Sequence, residues 1–177
     1  KNLCEGEFDL RIEALGGSSN AATGLDDVHY HVLIPPENIE EALTLLLDLL
    51  LFPQIKQNAF EIEKQVVLEE IAQTIDQPDE IIYMKLFQEC CSPHRYSKPI
   101  LGDKKSVENI NSEQMKLFHR NHYVGGNCTI AIAGKVPENI QYIINNSQLK
   151  ELESTHVSSF LNKKNVFKPG YKKESIP

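Results

Sequence analysis

The stretch NAFEIEKQVVLEEIAQTID, residues 58–76, repeats its apolar residues at the three- and four-residue spacing of a helix. At about 100° per residue, Glu63 and Glu70 fall within roughly 20° of each other. Ala59, Phe60, Val66, Val67, Ile71 and Thr74 lie around them on an arc of about 140°. Glu61, Lys64, Gln65, Glu69, Gln73 and Asp76 point away, while Ile62, Leu68 and Ile75 blur the border. Two carboxylates are thus expected in the apolar stripe. Desolvating an unpaired charge is expensive, so each needs a cation, a metal ion or a bound proton. Asn58, with Glu61 three residues on, predicts a capping-box start to this helix.

Working outward towards the N-terminus, Pro35-Pro36 ends an extended segment and opens a helix to about Leu51, proline suiting the first helical turn. Its leucines (Leu43, Leu45, Leu46, Leu47, Leu49, Leu50) run almost all round, which predicts burial on more than one side. Before it, Ser18–Thr23 and Val28–Ile34 read as two strands joined by the turn Gly24-Leu25-Asp26-Asp27. In the second strand Val28, Tyr30, Val32 and Ile34 share one face, and His29, His31 and Leu33 the other. Glu5–Leu15 reads as a helix that Gly16-Gly17 stops.

Towards the C-terminus, a helix is expected from Pro78 to about Cys91, then a loop from Ser92 to Gly102. Asn111 caps a helix with Met115, Phe118, His119 and His122 on one stripe. Asn127–Ala133 is apolar on both faces, the pattern of a central strand, and Gly134 closes it. A short helix to about Asn146 follows. The order of elements predicts an α+β fold, an antiparallel or mixed sheet with helices packed on one face. Residues 1–147 are expected to be one domain, and 148–177, polar and lysine-rich, a linker to a further domain.

The 177 residues are 41% apolar, enough for a real core, and carry a net charge of −7 with no basic groove. Nucleic acid is therefore not an expected partner. No apolar run is long enough to span a bilayer, so no membrane partner is expected either; Asp48 breaks the longest, Leu45–Phe52. Cys4, Cys90, Cys91 and Cys128 make no CxxC pair. They read as small apolar residues in a reducing compartment, which favours a cytoplasmic location.

Each glutamate of the pair has two readings. In one, Glu63 and Glu70 meet Arg or Lys from neighbouring elements. In the other, one binds a metal and its companion orients or tunes that site. Seven helical residues separate the two Cα atoms by about 10 Å, which makes shared direct ligation awkward. Two histidine pairs also have metal-compatible spacing: His29 with His31 on the strand, and His119 with His122 on the helix. Neither has a third ligand nearby in sequence, and both are read as packing or solvent-facing residues.

Four segments carry a family resemblance. Gly16-Gly17-Ser18-Ser19-Asn20-Ala21-Ala22-Thr23 resembles the Gly-Gly-Ser-x-Asn-Ala-x-Thr segment of the insulinase/pitrilysin family of zinc peptidases. Glu61 to Ile71 resembles that family's glutamate-rich helix. His94 to Gly102, ending Pro99-Ile100-Leu101-Gly102, is similar to its His-x-(Tyr/Leu)-x-x-Pro-Ile-Leu-Gly loop. Tyr123 to Asn127, with the segment to Gly134, is similar to its Tyr-x-Pro-x-Asn…Ala-Gly-Asp stretch. The four occur in the right order from about Lys1 to Ile140.

The resemblance implies half of an insulinase-like peptidase and a zinc endopeptidase activity for the complete protein. In that family an inverted His-x-x-Glu-His motif supplies two zinc ligands and the general base, and a glutamate on a later helix is the third ligand. Zinc polarises a water that the motif glutamate deprotonates for attack on a peptide carbonyl. Glu70 matches the third ligand and Glu63 a second carboxylate near the site. Asn20 and Ala21 match the segment where peptide substrate adds as a strand. A second, homologous domain or subunit is the implied partner. His94 matches a position with a structural role.

The chain departs from the pattern in three places. It contains no His-x-x-Glu-His. Counted back from Glu70, the second histidine would fall a few residues before Lys1, so truncation downstream of the motif is expected. Zinc should then be absent or weakly bound in the fragment. Val124-Gly125-Gly126 replaces the proline after Tyr123, and Lys135 stands where an acid is usual. The alternative reading is a non-catalytic relative, a core or partner subunit that keeps the fold.

Overall fold

The computed structural model describes residues 3–151 together with Gly170, Tyr171 and Lys173. Helix α1 (Glu7–Ala14) leads into strands β1 (Ser18–Thr23) and β2 (Val28–Leu33). Helices α2 (Ile39–Leu51), α3 (Gln57–Ile75), α4 (Pro78–Cys91), α5 (Lys104–Asn109), α6 (Ser112–His122) and α7 (Ile140–Asn146) follow. The α+β class holds. The described chain divides into two compact units: one runs up to Ile55 and resumes at Met115, and the other runs from Lys56 to Gln114.

In the first unit, α1 ends where its sequence says it must. Gly16 adopts φ +76°, a left-handed conformation that glycine takes without steric cost. Gly17 is needed for a different reason: a Cβ there would lie 2.6 Å from both the Leu33 carbonyl oxygen and the Ile34 Cδ1. The chain then enters an antiparallel hairpin with Ser18 opposite Leu33 and Thr23 opposite Val28. The Gly24 N–H donates to the Asp27 carbonyl and closes the turn. Val32 and Ile34 pack against the core formed with the helices, while Leu33 on the opposite face is 75% exposed. Among the described residues helices cover one face of the hairpin, as the sequence suggests.

Pro36–Asn38 form a single 3-10 turn before α2 begins at Ile39. Helix α2 is buried on two sides. Ala42 and Leu45 join Phe8 and Ile12 of α1 in one cluster. Leu43 and Leu47 join Ile143 of α7 in another, with Leu149 packed against it. Leu149 lies in the 3-10 turn Gln148–Glu151, and Gln148 hydrogen-bonds Asp48 through its side-chain amide. The rest of the segment expected to be a linker lies outside the described residues, apart from Gly170, Tyr171 and Lys173.

Two local expectations are corrected. Helix α3 starts at Gln57 with Lys56 as its cap residue and no side-chain cap bond, so Asn58 and Glu61 form no capping box. Glu61 is drawn instead to Gln57 and Lys64. The central strand expected over Asn127–Ala133 is also not formed. Gly125–Asn127 make a 3-10 turn and Cys128 is extended, but the described sheet holds only β1 and β2. Ile130 is 40% exposed. An apolar pattern states that a segment needs cover on both faces; strand identity also requires a hydrogen-bonding neighbour, and β2 is paired to β1. Elsewhere the capping reading holds: Asn111 and Gln114 exchange reciprocal backbone–side-chain bonds of 2.9 Å at the start of α6.

Because Leu45 is 2% exposed at the centre of the first cluster, Leu45→Ala should destabilise the chain by about 2–5 kcal/mol. Leu33→Ala should stay within about 0.5 kcal/mol. Urea unfolding followed by circular dichroism measures both.

Candidate functional site

In the second unit, α3 turns Phe60 inward, buried, with Lys64, Val67, Leu68, Ile71 and Thr74 half-buried beside it. Within this unit α3 packs against α4 and α5. The charge on the covered side is Lys64. Its ammonium sits 5.5 Å from the Phe60 ring centroid, 3.1 Å from a Glu61 carboxylate oxygen and 3.4 Å from the Ile110 carbonyl. An aliphatic stem on an aromatic ring with its head on two oxygens lets a lysine line a packed face.

Glu63 and Glu70 are both exposed. The apolar stripe expected to hold them is rotated: its axis runs through Phe60, Val67 and Ile71, and the glutamates stand roughly 60–100° off it. Ile62 and Val66 are exposed on the same side. Neither glutamate belongs to an ion pair among the described residues, so partnership with a neighbouring Arg or Lys is not how they are accommodated. Solvent stabilises their charge. What remains of the sequence reading is their placement two turns apart along one open edge of α3.

Asn20 and Ala21 lie in β1, both exposed, on a strand whose only partner in the described sheet is β2. Among the described residues no strand pairs with the other edge of β1. The Asn20 side-chain oxygen accepts the Ala21 N–H at 2.8 Å. A local side-chain bond of this type satisfies a strand N–H that has no ladder partner.

His94 caps a 3-10 turn, its Nδ1 accepting the Tyr96 N–H at 3.3 Å, and its carbonyl accepts the Ser97 hydroxyl at 2.7 Å. Gly102 closes the following turn at φ +77°, and Asp103 caps α5 through a reciprocal box with Ser106. Those Ser106 bonds hold the Asp103 carboxyl below the usual carboxylate range. His119 and His122 do not converge. His119 Nε2 meets the Leu50 carbonyl at 2.7 Å, and His122 stacks on Phe118 while its Nδ1 meets the Phe118 carbonyl at 3.0 Å.

The residues present do not make a zinc centre of the kind the resemblance implies. Structural and catalytic zinc take at least three protein ligands, and no group of three or more His, Cys, Asp or Glu able to hold a metal occurs among the described residues. Glu70 is a lone carboxylate on an open helix face.

The insulinase family profile, peptidase family M16, matches residues 1–104. The chain belongs to the insulinase family. It is 34% identical over 136 residues to an uncharacterized zinc protease of Rickettsia felis, an alignment covering 77% of this chain and 32% of that protein. The crystal structure of a protease from Helicobacter pylori superposes with a TM-score of 0.77 at 26% identity, over 95% of this chain and 40% of that one. A peptidase M16 inactive domain from Pseudomonas fluorescens shares the fold at a TM-score of 0.78 and 21% identity, over 91% of this chain and 39% of that one. This insulinase-family chain thus spans about a third of the length of the curated relatives it matches.

One feature of the family-like Tyr123 segment escapes sequence reading because its two halves lie far apart in the chain. The Tyr123 hydroxyl is 2.7 Å from the Tyr30 hydroxyl of β2, and the His119 ring stacks on Tyr123 at 4.4 Å. The segment is therefore tied to the hairpin, and His119 ties it to the end of α2. Burial, then the Tyr30 bond, pushes the Tyr123 hydroxyl far above the usual tyrosine range. The unfolded chain ionises this tyrosine near pH 10, before the folded chain does. Its contribution is complete below about pH 10 and is lost as pH rises towards the folded value. Tyr123→Phe should flatten the alkaline decline in stability seen by denaturant titration between about pH 9.5 and 11.5.

Proposed function

We propose that this chain is part of the N-terminal peptidase domain of a zinc endopeptidase, with Glu70 as one zinc ligand and Glu63 as the carboxylate beside it. The observation that carries the reading is the exposed edge of α3, where two carboxylates without an ion-pair partner among the described residues stand two turns apart within the family-matched residues 1–104. A ligand must reach its metal without a competing cation, and exposure leaves Glu70 free to do so. Asn20 and Ala21 receive peptide substrate on the open β1 edge, the incoming strand replacing the local Asn20 bond to the Ala21 N–H. Residues 1–147 are the truncated domain, 148–177 lead towards a second homologous half, and the remaining zinc ligands come from residues outside this chain. That division accords with a chain covering 32% of the Rickettsia relative.

The second reading is a non-catalytic core or partner subunit. It is favoured by the inactive M16 domain of Pseudomonas fluorescens, which has the same fold. The coding sequence ahead of Lys1 separates the two: an intact His-x-x-Glu-His supports the peptidase, and a degraded one the subunit.

In the peptidase carrying that motif, Glu63→Gln should weaken zinc binding about 10–100-fold, and Glu70→Gln should weaken it more. Metal analysis after dialysis reads both. Residues 1–177 alone should cleave no peptide; chelator-sensitive cleavage by them would overturn the proposal.

A further inference from the structure

We propose that Thr129–Ala133 is a docking edge for one added β-strand, apolar on both faces, which the complete protein supplies from outside these 177 residues. The inference shares with the proposed function only that the chain is part of a longer protein, and it holds for a peptidase and for a non-catalytic subunit alike. Cys128 is extended at φ −114° and ψ 138°, and neither turn nor bend interrupts the chain before Gly134. Among the described residues, no N–H or carbonyl from Thr129 to Ala133 takes part in a backbone hydrogen bond.

A row of unpaired N–H and carbonyl groups on extended backbone is a template for another strand. Proteins usually blunt such edges with charge, lysine above all, or with proline. The run Asn127–Gly134 contains neither. Alternation puts Cys128, Ile130 and Ile132 on one face, and Thr129, Ala131 and Ala133 on the other. Ile130 is 40% exposed, and Ile132 is half-buried. β-branched side chains suit a pleated surface that neighbours cover. The composition is that of a strand inside a sheet, while the bonding is that of a strand with no sheet.

The entry to the segment is already fixed. Val124 is buried, and the Tyr123 hydroxyl is 2.7 Å from that of Tyr30 in β2, so an incoming strand meets backbone held at one end. The occupant is a structural strand and not a substrate. A substrate edge must accept varied side chains, as the small polar residues of β1 do, whereas Ile130 and Ile132 favour apolar neighbours across the ladder. A second copy of this chain would bring a further net charge of −7 towards the first. The chain covers 32% of the Rickettsia relative, so a longer protein has residues enough for one more strand.

Amide hydrogen exchange read by mass spectrometry, on the complete protein and on the 177-residue chain, tests the edge without any substitution. The amides of Thr129–Ala133 should exchange at open-chain rates in the 177-residue chain and at least about 100-fold more slowly in the complete protein. Ala131→Lys in the complete protein should restore fast exchange there; unchanged slow exchange in that variant overturns the apolar match. Fast exchange of these amides in the unsubstituted complete protein overturns the docking edge. Slow exchange already present in the dilute 177-residue chain overturns it as well. Protection that rises with the concentration of that chain makes the occupant a second copy and overturns the proposal.

Discussion

The two-sided burial of α2 is the constraint on which the first unit depends. One side of the helix presents Ala42 and Leu45 to Phe8 and Ile12, and the other presents Leu43 and Leu47 to Ile143. A fully buried leucine contributes about 1.5–3 kcal/mol through burial alone, and α2 takes part in both buried clusters of this unit. The consequences run outward. Helix α1, held by the first cluster, delivers the chain to the Gly16–Gly17 corner and fixes where β1 starts. The carbonyl of Leu50, at the end of α2, receives His119, which stacks on Tyr123, which in turn meets Tyr30 of β2. Hairpin and C-terminal segment are thus referred to one helix.

The candidate site follows a different logic. Helix α3 buries a row centred on Phe60 and admits a single charged residue there, Lys64, whose stem lies on an aromatic ring and whose ammonium has two oxygen partners. The same packing turns Glu63 and Glu70 outward. An ionised carboxylate in water carries no desolvation penalty, so these two are compatible with a ligand role and equally with a site that has lost its chemistry. Family membership rests on the match over residues 1–104 and on relatives of the same class, not on a completed metal centre.

Much of the fold was legible because it is set locally. Gly16 stops α1, Gly24 closes the hairpin, Asn111 caps its helix, and the leucines of α2 predict burial on two sides. Each signal acts within a few residues, where φ preference or a side-chain oxygen decides. The misreadings have a common origin. The apolar stripe of α3 has a blurred border at Ile62, Leu68 and Ile75, so periodicity left its axis uncertain by about a quarter turn. The extended segment after Asn127 had the composition of a central strand and no neighbour in the described sheet.

The sequence by itself determined that six of the seven described helical segments are helical, where the hairpin turns, which family the four segments resemble, and which carboxylates share an edge of one helix. Tertiary structure alone decided which side of α3 is covered, that Lys64 rather than a glutamate lines it, that Tyr30 and Tyr123 meet across 92 intervening positions of chain, and that His119 and His122 engage the Leu50 and Phe118 carbonyls. The division has a physical reason. Backbone conformation and capping are governed by interactions a few residues long, whereas burial and partnership depend on what surfaces packing brings together, and periodicity cannot name the surface a stripe will meet.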